Sequence, residues 1–536
     1  MTTLLATSSE TTLDLSLLAV LAALALFLII AYHSRIPYPI LLVVGGAVIG
    51  FLPGMPDVQL NPDLVLVIVL PPLLYAAAFF SSLRDLRDNL GQISMLAVGA
   101  VIATMVAVAV VAHAVVDGMS WEAAFVLGAV VSPTDAVAAT AIASRVGAPS
   151  RFVTIIEGES LVNDSTALVA YKFAVAAAVS GSFSLATASG RFVLNAIVGI
   201  AIGIAIGWIV AQVRKVIDDA PTEITISLVT PYFAYLPAEA LGVSAVLAAV
   251  TTGIFLGWRS PQLITPATRI QAFSVWEIVV FVLNAALFML VGLQLPSVMD
   301  GIADIATKSV VVYALAVAAT VIGVRFLCVY SNEYLPRFLS RRLRERDPYP
   351  PWWLPAIVAW TGIRGAVSLA AALAIPTTID AGGPFPQRDL IIFLTYAVIA
   401  ATLLLQGTTL PLIIKALGVE EDGTETQRES KARLLAAHAA IARIDELLEE
   451  DWVREDTAER VRGSFEFRIR RFSARFDDAD DGAIDARSQD YQRLLRELLE
   501  AQRAEIIRLR NVGKINDEIM HRIERDLDLE DTRLEV

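Results

Sequence analysis

Thiols are almost absent from this chain: Cys328 is the only cysteine among 536 residues, which rules out an internal disulfide and any thiolate metal cluster. Charge is scarce over most of the length. Residues 1–420 hold 46 Asp, Glu, Lys and Arg side chains, whereas the last 116 residues hold 51, so a charge-poor part and a water-facing tail meet near Gly418. Basic residues are not in excess: the net charge is −13, and the tail alone has 30 acidic against 21 basic residues. That balance offers no surface to nucleic acid or another polyanion. The first 14 residues contain no Lys or Arg. The apolar run after Asp14 therefore has no basic flank of the kind a cleaved signal peptide carries, and it is expected to stay as a first membrane span.

What the chain has in abundance is apolar surface. A hydrophobic share of 56% and a mean hydropathy of +0.63 exceed the needs of a soluble core, so the expected class is an all-α polytopic membrane protein. At roughly 20 apolar residues per crossing, thirteen spans are expected, at 15–32, 38–53, 64–80, 92–116, 121–144, 152–179, 191–213, 222–238, 243–258, 270–293, 306–330, 353–375 and 389–416. Pro231, Pro237 and Glu239 interrupt the eighth and ninth. With the N-terminus outside, the inward loops carry fourteen Lys and Arg and the outward loops only Arg191, Lys308 and Arg388, the asymmetry expected of cytoplasmic loops. The expectation is a multi-pass protein of the cell membrane (plasma or inner membrane), residues 1–418 in the bilayer and 419–536 as a cytoplasmic tail. Segments such as KARLLAAHAAIARIDELLEE and YQRLLRELLEAQRAEIIRLR space apolar residues three and four apart, which predicts a helical tail packed on itself or on a sister subunit. No ligand for the tail can be named from its sequence.

Within this oily part, residues 158–173 read GESLVNDSTALVAYKF, placing Glu159, Asn163, Asp164 and Lys172 in a segment long enough to cross a bilayer, with Glu157 just before them. A charge at bilayer depth costs at least ~2.5–3.5 kcal/mol, so each needs a partner or a function. Deep polar residues recur on the fifth span (Thr134 and Asp135), the eleventh (Arg325) and the twelfth (Arg364). Counting about 1.5 Å per residue brings Asp135, Asp164, Arg325 and Arg364 into one middle band, where they can meet. On the sixth span, Ser160 and Asp164 form one stripe and Glu159 and Asn163 the next. The first suits a small hard cation, while Glu159 is the natural mate of a buried arginine. The fifth and twelfth spans are each broken near their polar residue, at Ser132-Pro133 and at Thr361-Gly362 with Gly365, and they run in opposite directions. Broken helices in matching positions of inverted repeats mark transport sites. His113, Glu122, Glu239 and Glu277 are expected to be structural or interfacial, and Lys172 to extend toward the outer surface.

The motifs LPPLLYAAAF (70–79), SPTDAVAA (132–139), EGESLVNDSTALV (157–169), LNAALFMLVGLQL (283–295) and TGIRGAVSLA (361–370) resemble those of the sodium/proton exchangers of the monovalent cation:proton antiporter class, in particular the prokaryotic members. The resemblance implies a homodimer in the lipid bilayer, each subunit having a dimerisation part and a six-helix core in which spans five and twelve cross as unwound helices. It implies that Asp164 is the main carrier of cation and proton, with Asp135, Ser160 and the carbonyl of Thr134 as further Na+ ligands. Asn163 stands where charge-moving relatives have a second aspartate, which implies one cation exchanged for one proton. Glu159 is expected to pair with Arg325, and Arg364 to stabilise the crossing. Several relatives carry an acidic residue after the aromatic of the PPLL segment; here Tyr75 is followed by three alanines.

No cofactor is expected, only the transported ions: H+ and Na+, with Li+ or K+ compatible with the same spacing. Competition for one carboxylate would couple the two flows, because an empty buried carboxylate is disfavoured whereas one holding a proton or a cation is not. Two rival readings use the same residues. An intramembrane aspartyl protease would pair Asp135 with Asp164, but its GxGD pattern is missing and the arginines would be idle. A passive cation channel conflicts with buried arginines near the pathway.

Overall fold

The structure, a computed structural model, describes residues 22–34, 36–53, 65–88, 90–143, 150–181, 185–346, 349–417, 424–474 and 483–534. Helices make up these residues almost throughout; no strand occurs among them beyond an isolated bridge between Thr378 and Pro384. The main helices of the apolar part are α1 (Ala22–His33), α2 (Tyr38–Gly50), α3 (Leu70–Phe80), α4 (Val101–Val115), α5 (Trp121–Val131), α6 (Ala136–Ala143), α7 (Ser150–Ser180), α8 (Leu185–Arg214), α9 (Ala220–Ala240), α10 (Ala245–Leu263), α11 (Pro266–Leu293), α12 (Thr307–Leu339), α13 (Trp353–Trp360), α14 (Ala366–Leu373) and α15 (Arg388–Ala416). A π-helical turn leads into α3 and another into α4. Each expected span contains helix; residues 15–21 of the first, 64 of the third and 144 of the fifth lie outside the described residues. Among the described residues six helical segments are long and apolar enough to cross a membrane, and α1, α2 and the segment Val65–Phe80 are shorter apolar helices. The protein is thus a multi-pass, all-helical membrane protein.

Polar side chains set several helix starts by accepting from orphan amides of the first turn. Ser120 accepts from Ala123 N (3.2 Å) at α5, Asp219 from Thr222 N (3.0 Å) at α9, Ser244 from Leu247 N (3.3 Å) at α10 and Thr265 from Thr268 N (3.3 Å) at α11. The prolines inside α9 do not end it: the helix runs through Pro231 and Pro237, as membrane helices tolerate when neighbours satisfy the freed carbonyls.

The helices pack as two groups. In one, α7 lies against α5, α12 against α4, and α13, α14 and α15 pack around them; in the other, α8 and α3 flank α10, and α11 lies along α2. Contact between the groups is thinner. Small residues allow backbones to touch where no hydrophobic force distinguishes helix from lipid. A Cβ on Gly46 would lie 2.3 Å from Met289 O, and one on Gly292 2.2 Å from Val43 O, so the α2–α11 contact requires glycine on both sides.

The chain divides into two compact units, Met1–Glu420 and Glu421–Val536. The second contains α16 (Thr424–Leu447), α17 (Glu455–Ala474), α18 (Ala483–Asn511) and α19 (Asp517–Leu534). Here α16 packs on α17 and α18 on α19, burying Leu499, Ile506 and Leu527 between the latter pair. Arg503 of α18 reaches Asp528 (2.8 Å) and Asp531 (3.0 Å) of α19.

Candidate ion-binding site

Two helices stop and restart where the sequence places its deep polar residues. Residues 132–135 separate α5 from α6, and 361–365 separate α13 from α14. The breaks lie against each other and exchange hydrogen bonds: Asp135 N donates to Ile363 O (2.8 Å) and Arg364 Nε to Val131 O (2.9 Å). Each short helix ends with its carbonyls unsatisfied and its dipole negative. Arg364 supplies a guanidinium to the end of α5, and Arg325 reaches Val358 O near the end of α13 (3.5 Å). At the positive end of α6, Asp135 Oδ1 accepts from Val137 N (2.9 Å) and Ala138 N (3.2 Å). The same carboxylate touches the start of α14, where a Cβ on Gly365 would come within 1.9 Å of Asp135 Oδ2. Only glycine fits there. Arg364, 1% exposed, is held further by its own backbone: its N donates to Thr402 Oγ1 (3.1 Å).

Helix α7 sorts its polar residues by face. Glu159 is buried and takes both terminal nitrogens of Arg325, with Arg325 Nη2 to Glu159 Oε2 at 2.7 Å. Asn163, also buried, donates Nδ2 to Thr134 Oγ1 (2.6 Å), and Thr134 Oγ1 donates to Glu159 Oε1 (3.4 Å). These groups tie α7 to the α5–α6 break. On the neighbouring face, Ser160 Oγ donates to Thr134 O (3.1 Å), while Asp164 has no hydrogen bond or ion pair among the described residues.

Asp164, Ser160, Thr134 and Asp135 line one cavity of about 290 Å3. Its walls are the apolar side chains of α3 and α11, including Leu73, Leu74, Phe80, Leu287 and Phe288, and the α14 start at Gly365–Ser368. On α7 the lining runs from Glu157 to Asp164 and stops there. The space therefore extends from the crossing toward the end of the molecule where α3 finishes at Phe80 and α7 begins. Of the residues expected to bind cation or proton, Asn163 is the one that does not line it; Glu159, Arg325 and Arg364 stand behind it. Among the described residues no three of His, Cys, Asp and Glu gather as a metal centre. An ion here would be held by carboxylate, hydroxyl and carbonyl oxygens of the kind that suits a hard monovalent cation. A larger hollow, about 690 Å3, lies elsewhere, between Asp117, Asp304, Tyr313 and Arg388, and contains none of these groups.

Several features escaped sequence reasoning. Asn284 and Ser368 line the cavity; the segment LNAALF was noted only as a motif. Lys172 pairs with Glu239 of α9 at 2.8 Å, whereas Glu239 was expected only to be structural or interfacial and Lys172 only to extend toward the outer surface. His113, expected to be structural or interfacial, has Nδ1 2.6 Å from Met119 O and its ring stacked on Trp121.

Crossed helix breaks with carboxylates beside them, in a polytopic helical protein, define a secondary transporter. Comparison with known proteins specifies which kind. The family described as "Sodium/hydrogen exchanger, transmembrane" matches residues 17–416, and the chain belongs to that family. It is 37% identical over 524 residues to a Na+/H+ exchanger of Mycobacterium tuberculosis, covering 97% of this chain and 95% of the relative. It is 35% identical over 456 residues to a sodium, potassium, lithium and rubidium/H+ antiporter of Bacillus pumilus, covering 81% and 66%. The solved sodium proton antiporter of Methanocaldococcus jannaschii has the same fold, with a TM-score of 0.60 at 18% identity, covering 76% of this chain and 99% of that one. Proteins so named are transporters, not enzymes.

Proposed function

We propose that the protein exchanges Na+ for H+ across the cell membrane, one for one, with Asp164 carrying either ion in turn. The observation that carries this reading is Asp164 itself: a buried carboxylate, unpaired among the described residues, on a cavity beside the helix crossing. Asp135, Ser160 and the Thr134 carbonyl complete an oxygen cage, and Asn163 positions Thr134. Charge balance supports the stoichiometry. Around the crossing stand three carboxylates (Asp135, Glu159, Asp164) and two guanidinium groups (Arg325, Arg364), a net charge of minus one when all are ionised. A single proton or a single sodium ion brings it to zero, so both loaded states are equally neutral and the empty state is disfavoured. A second aspartate at 163 would change this balance.

The division into two helix groups supports a reading of alternating access, in which one group moves against the other. We place the N-terminus outside, with thirteen crossings and the α5–α6 and α13–α14 breaks as counterparts in inverted repeats. The cavity then leads toward the cytoplasm, and Lys172–Glu239, which joins the groups, lies on the outer, closed side. Movement of the α7 group would break that pair and present Asp164 outward. The protein acts as a homodimer and serves pH and sodium homeostasis. The test is a proteoliposome assay with membrane potential clamped: adding Na+ outside acid-loaded vesicles should alkalinise their interior. A channel would give no such proton movement at clamped potential, and a protease none at all. Running Li+ and K+ in parallel defines the cation range.

A further inference from the structure

The cavity holds one ionisable side chain that the exchange reaction has not used. Among the described residues, its ionisable lining groups are Asp135, Glu157 and Asp164, all carboxylates. Asp135 is engaged with the starts of α6 and α14, and Asp164 is the exchanging group. Glu157 is half-buried, and among the described residues it has no hydrogen bond or ion pair. It precedes Ser160 by three residues and Asp164 by seven, so all three share one face of α7, with Glu157 about 10 Å from Asp164 along the axis.

The turn bearing Glu157 is fixed in place. A Cβ on Gly158 would come within 2.8 Å of the side chains of Leu86 and Ile93, so this part of α7 is pressed against the short helices Leu83–Asp88 and Leu90–Ser94, and Glu157 stays on the cavity. Arg84 and Arg87 on the first short helix are exposed and do not line the cavity, so no basic lining group among the described residues cancels its charge.

We infer that Glu157 is the gathering carboxylate of the inner access path, concentrating monovalent cations and protons for Asp164 on one side of the membrane only. This rests on the antiport reading above. A fixed negative charge between apolar walls focuses the field and raises the local cation concentration; it contributes nothing once the site faces the other way. Glu157 is thus a positioning residue for the arriving ion and not a ligand of the bound one.

The test uses the full-length protein in oriented vesicles, with Na+ supplied on the tail side or on the opposite side. In Glu157→Gln the KM for Na+ on the tail side should rise about tenfold, the lower range of electrostatic concentration effects, with kcat kept. KM from the opposite side should stay at the wild-type value, and Glu157→Asp should recover most of the loss. Raising ionic strength should weaken wild-type affinity on the tail side more than that of Glu157→Gln. An unchanged tail-side KM, or equal changes on both sides, overturns the inference. A fall in kcat with KM unchanged also overturns it. If Asp164→Asn is inactive while Glu157→Gln shows no sidedness, only this inference fails; if Asp164→Asn exchanges normally, the assignment of Asp164 as the carrier, on which this inference rests, fails first.

Discussion

Among the described residues helix α7 makes two ion pairs, and they differ in almost every physical respect. Glu159–Arg325 joins α7 to α12 inside one helix group, with both side chains at 3% exposure or less and further tied to the α5–α6 break and to Val358 O. Lys172–Glu239 joins α7 to α9, which packs on α10 and α11 of the other group, with side chains 58% and 41% exposed. A buried pair cannot be separated without stranding a charge, whereas an exposed pair exchanges its partner for water at little cost. In the proposed exchange cycle the first pair keeps the crossing and α7 as one body, and the second spans the boundary along which that body would shift.

Breaking the first pair should have the larger effect. Arg325→Ala leaves Glu159 buried without its partner and should destabilise the protein by about 3–5 kcal/mol, read as a large fall in the thermal unfolding temperature of the purified protein in detergent. Wild-type stability in that variant would mean the pair does not hold the group together. Disrupting the second should be far milder: Lys172→Ala should cost no more than ~1 kcal/mol. Its consequence lies in the balance of conformations. Lys172→Glu sets two carboxylates against each other, so a cysteine placed at Ala77 on the cavity wall, with Cys328 replaced, should react more slowly with a membrane-impermeant thiol reagent added on the tail side. The exchange Lys172→Glu with Glu239→Lys should restore the rate. Unchanged labelling in all three would remove the pair from the access cycle.

The same contrast explains what could be read from the sequence. Burial made Glu159 the natural mate of a buried arginine, depth counting put Arg325 and Arg364 in the middle band, and the family resemblance implied Arg325 as the partner. Asp164 with Ser160, and the breaks at Ser132–Asp135 and Thr361–Gly365, were legible from helix spacing and from proline and glycine. Lys172–Glu239 was not, since partners 67 residues apart on exposed helix ends have water as an alternative. The targets of Arg364 were hidden for another reason: Val131 O is a backbone carbonyl, which no side-chain pattern marks. The demand for glycine at 365 likewise comes from Asp135 on a different helix. Glu157 did carry a signal, its three- and seven-residue spacing to Ser160 and Asp164, which becomes informative once the cavity is seen.

The central claim, that one carboxylate holds proton and sodium by turns, is tested most directly by Asp164→Asn reconstituted into acid-loaded proteoliposomes with Na+ outside and potential clamped. Correct insertion should persist while alkalinisation falls to that of protein-free liposomes. Sodium-driven proton movement at the wild-type rate in that variant would contradict the account.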